Sequence, residues 1–435
     1  MWGVSSFIAI CAVLAAAIIF ILSTRDLNLD TKVLWSLPAP SESASLETNE
    51  LAGLWLTDDT VVRATVLGLT AYDLETGEQR WRLPMPKGTS LCQASPNVVD
   101  DVAAVIFGAT QGSGDTCDQL TAVIVRTGER RWTTSLKQPG GTSINVLDRL
   151  ASVSIARGFV VAQDIDAIRA YATGDGKPKW SIDPTTGSES RCLPFRSLVG
   201  GDRMIVVLDC QNRGNVSMID TATGRVLWKR DTTPAEGAVA FMDPISVRPV
   251  VLASRSTSEQ RQMLVLDGNT GSLARQISTS VGGSSELDFT SDSFGLDGRA
   301  YYPVVISAGK LFASTIEAVG ARRNDIVAVD LNTGRVAWTI PSALGTVETI
   351  LTADGDGVLT LNRGSLKRLP RLVRYDAETG EGTDGVTLPR AVIDTRFRVR
   401  FFIQDNKIVV VSLSAGNTQP LITVLGKKAR WWSGE

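Results

Sequence analysis

Apolar and polar residues alternate in short runs along most of this chain, and the runs come in pairs around a turn. "LTAYDLETG", "VSMIDTATG", "IVAVDLNTG" and "LVRYDAETG" each lead from an alternating segment into a glycine. Alternation resumes after the glycine, as in "RVLWKRD", so each unit predicts an antiparallel hairpin. An aspartate stands four places before the glycine at Asp73, Asp220, Asp267, Asp330 and Asp376. Its carboxylate is placed to accept backbone N–H groups of the turn, and glycine supplies positive φ without a steric penalty. A second hairpin precedes this one in each unit, with two apolar strands around an Asp, Asn or Gly turn: "LWLTDDTVVRA", "SIARGFVVAQ", "LVGGDRMIVVL", "VVISAGKLFAS" and "FFIQDNKIVVV".

The spacing of the turn glycines turns these hairpins into an architecture. Gly77, Gly128, Gly176, Gly224, Gly271, Gly334, Gly380 and Gly426 follow one another at steps of 51, 48, 48, 47, 63, 46 and 46 residues. A tryptophan stands four places after the glycine at Trp81, Trp132, Trp180, Trp228 and Trp338, while Arg275 and Asp384 occupy that place in two units. Two hairpins per period make a four-stranded antiparallel sheet. No segment after the N-terminal stretch sustains a 3.6-residue period with caps, which excludes a helical solenoid. Four short strands repeated at this period predict the blades of a β-propeller, eight in number. "KVLWSLPAP" resembles a post-turn strand, with Trp35 in the tryptophan place and no hairpin before it. Strand 33–38 is therefore expected to complete the last blade and remove an open edge, although the tail "KKARWWSGE" competes for the same place.

Residues 2–22 break the pattern: "WGVSSFIAICAVLAAAIIFIL" carries no charge. As a helix it spans roughly 31 Å, about one bilayer core. No Lys or Arg precedes it and no small-x-small site follows, so it reads as a retained anchor rather than a cleaved signal. The expected organisation is an anchor at 1–24, a linker at 25–31 and the propeller at 32–435. Cys92 and Cys117 are 25 residues apart and Cys192 and Cys210 are 18 apart, each pair bracketing a strand-turn-strand pattern. Two disulfides would use these four cysteines and place the ring on an oxidising, extracytoplasmic side of the cell membrane. The competing reading is four separate buried thiols.

Composition narrows the chemistry. The chain has no histidine, which removes the commonest general base and transition-metal ligand. A net charge of −2 gives no global field for nucleic acid. Two segments stand out. The 63-residue step carries an insertion, 280–302, with Glu286, Asp288, Asp292 and Asp297. Arg396, Arg398 and Arg400 alternate, so a strand there would turn all three to one face. With Trp431 and Trp432 of the basic tail, a composition suited to a membrane interface, these residues are the candidate partner surface. A solvated loop and a charge-protected blade edge explain the first two segments without function.

The D-x-x-T-G-x-x-x-W unit resembles the repeat of the PQQ-like, quinoprotein-type β-propeller family, over about residues 32–435. The chain also looks like the membrane-anchored PQQ-binding-like propeller proteins of Gram-positive bacteria. More distantly it is similar to the propeller lipoprotein of the outer-membrane β-barrel assembly machine, a protein-binding scaffold. The resemblance implies that Trp35, Trp81, Trp132, Trp180, Trp228 and Trp338 pack between neighbouring blades, with blades five and seven docking differently at Arg275 and Asp384. Quinoprotein dehydrogenases of this family bind the quinone and Ca²⁺ with carboxylate and amide ligands, a catalytic aspartate and a disulfide between adjacent cysteines. This chain has no adjacent cysteines, and its recurring aspartates are explained by turns. The expectation is a non-catalytic scaffold or accessory subunit of an envelope complex, without cofactor or metal, bound to the membrane and other envelope proteins. A PQQ/Ca-dependent dehydrogenase and a ligand-binding sensor using the funnel of the ring are the alternatives.

Overall fold

The computed structural model describes residues 31–39, 51–109, 117–136, 152–163, 167–183, 193–210, 214–233, 236, 242–255, 261–281, 286–288, 304–316, 323–342, 346–364, 368–383, 385–389, 399–404, 407–412 and 420–427. The apolar segment 2–22 lies outside them. Among the described residues there is no α-helix and none long and apolar enough to cross a membrane.

The strands form eight sheets, each of four antiparallel strands. Blades one to seven take their strands in sequence order, from 51–84, 89–135, 152–182, 193–231, 243–278, 304–341 and 348–387. In blade eight, Val399–Gln404, Lys407–Ser412 and Ile422–Lys427 are joined by Thr31–Leu37 from the other end of the chain. Trp35 pairs with Val424 and Leu37 with Ile422 in that seam. Gly426 is therefore not an eighth turn glycine: it lies within a strand, opposite Lys32. The count of eight blades holds because the N-terminal strand fills the fourth place.

Burial explains why the second strands read as continuous apolar runs. Each sheet is covered on both faces by its neighbours. Along Val102–Ala109, Ala103, Val105 and Phe107 pack toward blade one, while Val102, Ala104 and Ile106 pack toward blade three. The eight apolar clusters each draw on two adjacent blades, and one joins blade eight to blade one through Val409, Val424, Leu51 and Val61. The ring is closed by core as well as by strand pairing. First strands of adjacent blades touch one another, as Leu51–Leu56 touches Thr89–Ala94, and so line the axis. Fourth strands lie outside, and Gln79–Pro84, Arg130–Ser135 and Val336–Pro341 mix exposed with half-buried residues.

Candidate functional site

The glycine turn is built by backbone and side chain together. Gly77 N–H donates to Asp73 O at 2.9 Å, and Asp73 N–H donates to Glu78 O at 2.8 Å. Asp73 Oδ1 accepts the N–H groups of Glu75 and Thr76, both at 2.8 Å. Asp267, Asp330 and Asp376 each take two N–H groups in the same way, and Asp220 takes that of Thr223. The backbone bonds persist in blades two and three, where Ile124 and Ala172 replace the aspartate, so the carboxylate reinforces a turn the glycine already permits. Arg80, bonded to both Asp73 and Asp59, with the turn N–H groups holds Asp73 down to about 2. Hydrogen bonds from Thr223, Thr270, Thr333 and Thr379 lower Asp220, Asp267, Asp330 and Asp376 from the usual carboxylate range.

Each tryptophan reaches into the turn of the following blade. Trp81 lies against Gly128, where an added Cβ would sit 2.5 Å from the indole Cδ2. Its Nε1 donates to Val125 O at 3.1 Å. Trp132 meets Gly176 and Thr173 O at 2.9 Å, and Trp180 meets Gly224 and Thr221 O at 3.0 Å. Trp228 meets Gly271 and Gly268 O, and Trp338 meets Gly380 and Ala377 O, both at 3.1 Å. Trp35, on the closing strand, covers Gly77 and donates to Leu74 O at 3.1 Å, carrying the device across the seam. Two lysines also reach the glycine turn of the following blade: Lys407 pairs with Glu75 at 2.8 Å, and Lys310 pairs with Glu378.

The repeat breaks between blades five and six. Arg275 is exposed and its Nε donates to Asn332 O at 2.8 Å, one residue beyond the carbonyl a tryptophan would use. Gly334 is covered instead by Ile277, whose Cγ1 would be 3.5 Å from an added Cβ. The insertion supplies the remaining volume. Its described part, 286–288, runs against 314–316, with Asp288 N–H to Ser314 O at 2.7 Å and Ile316 N–H to Glu286 O at 2.8 Å. That pairing drives Leu287, fully buried, into the cluster with Ile277, Leu311 and Val329. Glu286 is half-buried and accepts the Thr279 hydroxyl at 3.1 Å. Asp384 lies outside the described residues; beside it, the fourth strand of blade seven is reduced to Val386–Thr387.

Of the other candidate residues, Cys92 and Cys117 form a disulfide. Cys210 is disulfide-bonded, while Cys192 lies outside the described residues. Asp288 is half-buried, with its backbone paired as above. Arg400 sits on the innermost strand of blade eight, half-buried, on the same face as Phe402, which packs toward blade one. Asp292, Asp297, Arg396, Arg398, Trp431 and Trp432 lie outside the described residues.

The family model described as outer membrane protein assembly factor BamB matches residues 11–144 and 68–340. The chain belongs to that family. No curated protein matches the sequence. Among solved structures, BamB from Moraxella catarrhalis is similar at 14% identity and TM-score 0.50, covering 91% of this chain and 99% of that one. Quinohemoprotein alcohol dehydrogenase from Comamonas testosteroni is similar at 14% identity and TM-score 0.53, covering 93% and 78%. The quinohemoprotein alcohol dehydrogenase ADHIIG from Pseudomonas putida HK5 is similar at 13% identity and TM-score 0.52, with the same coverage. At these identities the likeness is one of fold.

The BamB-family ring and the dehydrogenase rings thus share an architecture. Among the described residues no three His, Cys, Asp or Glu side chains come together in a group that could hold a metal ion. Ca²⁺ asks for six to eight oxygen ligands. Carboxylates alone do not assemble that set among the described residues. One buried carboxylate does stand out, and the sequence reading passed over it. Glu348, on the innermost strand of blade seven, accepts hydrogen bonds from Thr360 at 3.1 Å, Asn362 at 3.0 Å and the Tyr375 hydroxyl at 3.0 Å. Burial first, and Glu348 second, push the Tyr375 phenol well up, so it stays a donor. Its sequence signal is a glutamate at the head of the short strand "ETILTA".

Proposed function

We propose that this BamB-family chain is a membrane-anchored, extracytoplasmic propeller acting without catalysis, as a protein-binding scaffold or accessory subunit of a cell-envelope complex. The observation that carries this reading is where the repeat's own residues go. Aspartate, glycine and tryptophan are engaged in turns and blade junctions around the ring, so the motif that recurs builds a rigid frame and leaves no recurring group for chemistry. The family's description as an outer membrane protein assembly factor supports an assembly role. The uncharged segment 2–22 supports an anchor, and the Cys92–Cys117 disulfide supports an oxidising side.

The competing reading is a quinone- and Ca²⁺-dependent dehydrogenase, favoured by the shared fold. The purified full chain is incubated with PQQ and Ca²⁺, then examined for chromophore uptake and for dye reduction with primary alcohols. The scaffold reading expects neither. Stoichiometric uptake with alcohol-dependent dye reduction overturns it.

A further inference from the structure

A cavity of about 240 Å³ lies at the seam where blade eight meets blade one. Leu37, Pro38 and Leu421 of blade eight form one wall, and the face of blade one forms the other. Strand register explains the second wall. Arg63 stands directly opposite Thr70, and Thr70 stands directly opposite Arg82 on the next strand. The three side chains form one cross-strand row, with a hydroxyl between two guanidinium groups. Neighbouring strands are about 4.8 Å apart, so the two arginines start from backbones roughly 10 Å apart and converge on the space over Thr70. Tyr72, Gln79 and Thr65 add hydrogen-bonding groups to the same lining, and Gly68 contributes no side chain to block it.

Both charged side chains of the row, Arg63 and Arg82, are cations. No carboxylate is among the described lining residues. Arg63 is only 5% exposed, and burial draws its pKa down to about 10. Burial likewise pushes the Tyr72 phenol up, which keeps it a neutral donor. Arg82 is exposed and Leu67, at 52% exposure, stands at the rim, so the cavity has an entrance. Planar guanidinium forks favour oxyanions, and such bonds strengthen where water is partly excluded. The volume is below that of a drug-sized pocket and suits one small group on a short stem.

We propose that this seam cavity is a binding site for one organic oxyanion, a carboxylate or phosphate carried on a short apolar body. The oxyanion sits over Thr70 between Arg63 and Arg82, and its apolar stem lies on Leu37, Pro38 and Leu421. This site does not depend on the scaffold reading, since a dehydrogenase ring would carry the same seam.

The test is calorimetric titration of the full chain in detergent with butyl phosphate, butyrate and, as a neutral control, butanol. Saturable binding of at least one anion, weakened by added salt and absent for butanol, is expected. Arg82→Gln, a change at an exposed position, is expected to weaken it by roughly tenfold or more, as loss of a charge-assisted pair does. Arg63→Met is the second variant, scored only if its melting curve remains cooperative. A blocked tripeptide with one glutamate then distinguishes the sources: competition with the bound anion points to a carboxylate on a polypeptide, and no competition points to a free anion. Absence of saturable anion binding, equal binding of butanol, or unchanged affinity in Arg82→Gln overturns the proposal.

Discussion

Trp81 rests its indole on Gly128 of the next blade and donates Nε1–H to the Val125 carbonyl at 3.1 Å. One side chain thereby fills the space a Cβ would take and satisfies a carbonyl of the turn it covers. The same relationship recurs at Trp35, Trp132, Trp180, Trp228 and Trp338, so it describes how adjacent blades meet around most of the ring.

The contact makes a glycine comparison informative. Gly128 and Gly334 have nearly the same φ, +74° and +72°, but only Gly128 lies under an indole. Gly334→Ala is expected to cost about 1 kcal/mol for the backbone alone. Gly128→Ala adds an overpacked contact and is expected to cost about 3 kcal/mol. Trp81→Phe keeps most of the packing, loses the N–H donor, and is expected to cost about 1–2 kcal/mol. Urea unfolding midpoints measure all three; equal effects at the two glycines would contradict the assignment.

At the junction of blades five and six the stabilising residue is the buried one. Ile277→Ala is expected to destabilise by about 2–4 kcal/mol, because it opens a cavity over Gly334 and beside Leu287. Arg275→Ala removes an exposed hydrogen bond to Asn332 O and is expected to cost about 1 kcal/mol or less. Thermal melts of the two variants give the order directly.

Acid sensitivity follows from the turns. Asp73 is lowered from 3.8 to about 2, chiefly by its bond to Arg80, and Asp220, Asp267, Asp330 and Asp376 are lowered by their turn hydrogen bonds. A carboxylate with a depressed folded pKa contributes stability that is complete above its unfolded value and is lost as pH falls through its folded value. The urea midpoint is therefore expected to be flat with respect to these groups above pH 5 and to fall between about 4 and 2. Asp73→Asn reduces the slope in that window, and an unchanged slope would show that this carboxylate is not a source of the acid response.

The ring was legible because its information is local and repeated. Turn glycines, turn aspartates and alternation lie within about ten residues of one another, and the period emerges from the glycines alone. The exceptions turn on strand pairing and packing that no local pattern encodes. "GKKARW" has the local look of a turn, yet Gly426 is in a strand because Thr31–Leu37 pairs there. The missing tryptophan at Arg275 was visible, but its replacement by Ile277 and Leu287 was not, since nothing local ties 287 to 277. Arg63 carried a usable signal, a charge inside the buried run "TVVRAT", which marks a residue with something to face across the seam. Which residues it faces depended on register with Thr70 and Arg82.

The scaffold reading rests most directly on whether the ring holds a partner in its own membrane. Intact cells expressing the full chain with an affinity tag are cross-linked, the membranes solubilised, and the captured complexes sized and their components quantified. The account predicts a complex larger than the chain alone, with at least one other envelope protein at a fixed ratio to it. Recovery of the chain by itself, at monomer size with no component in fixed ratio, would contradict the account.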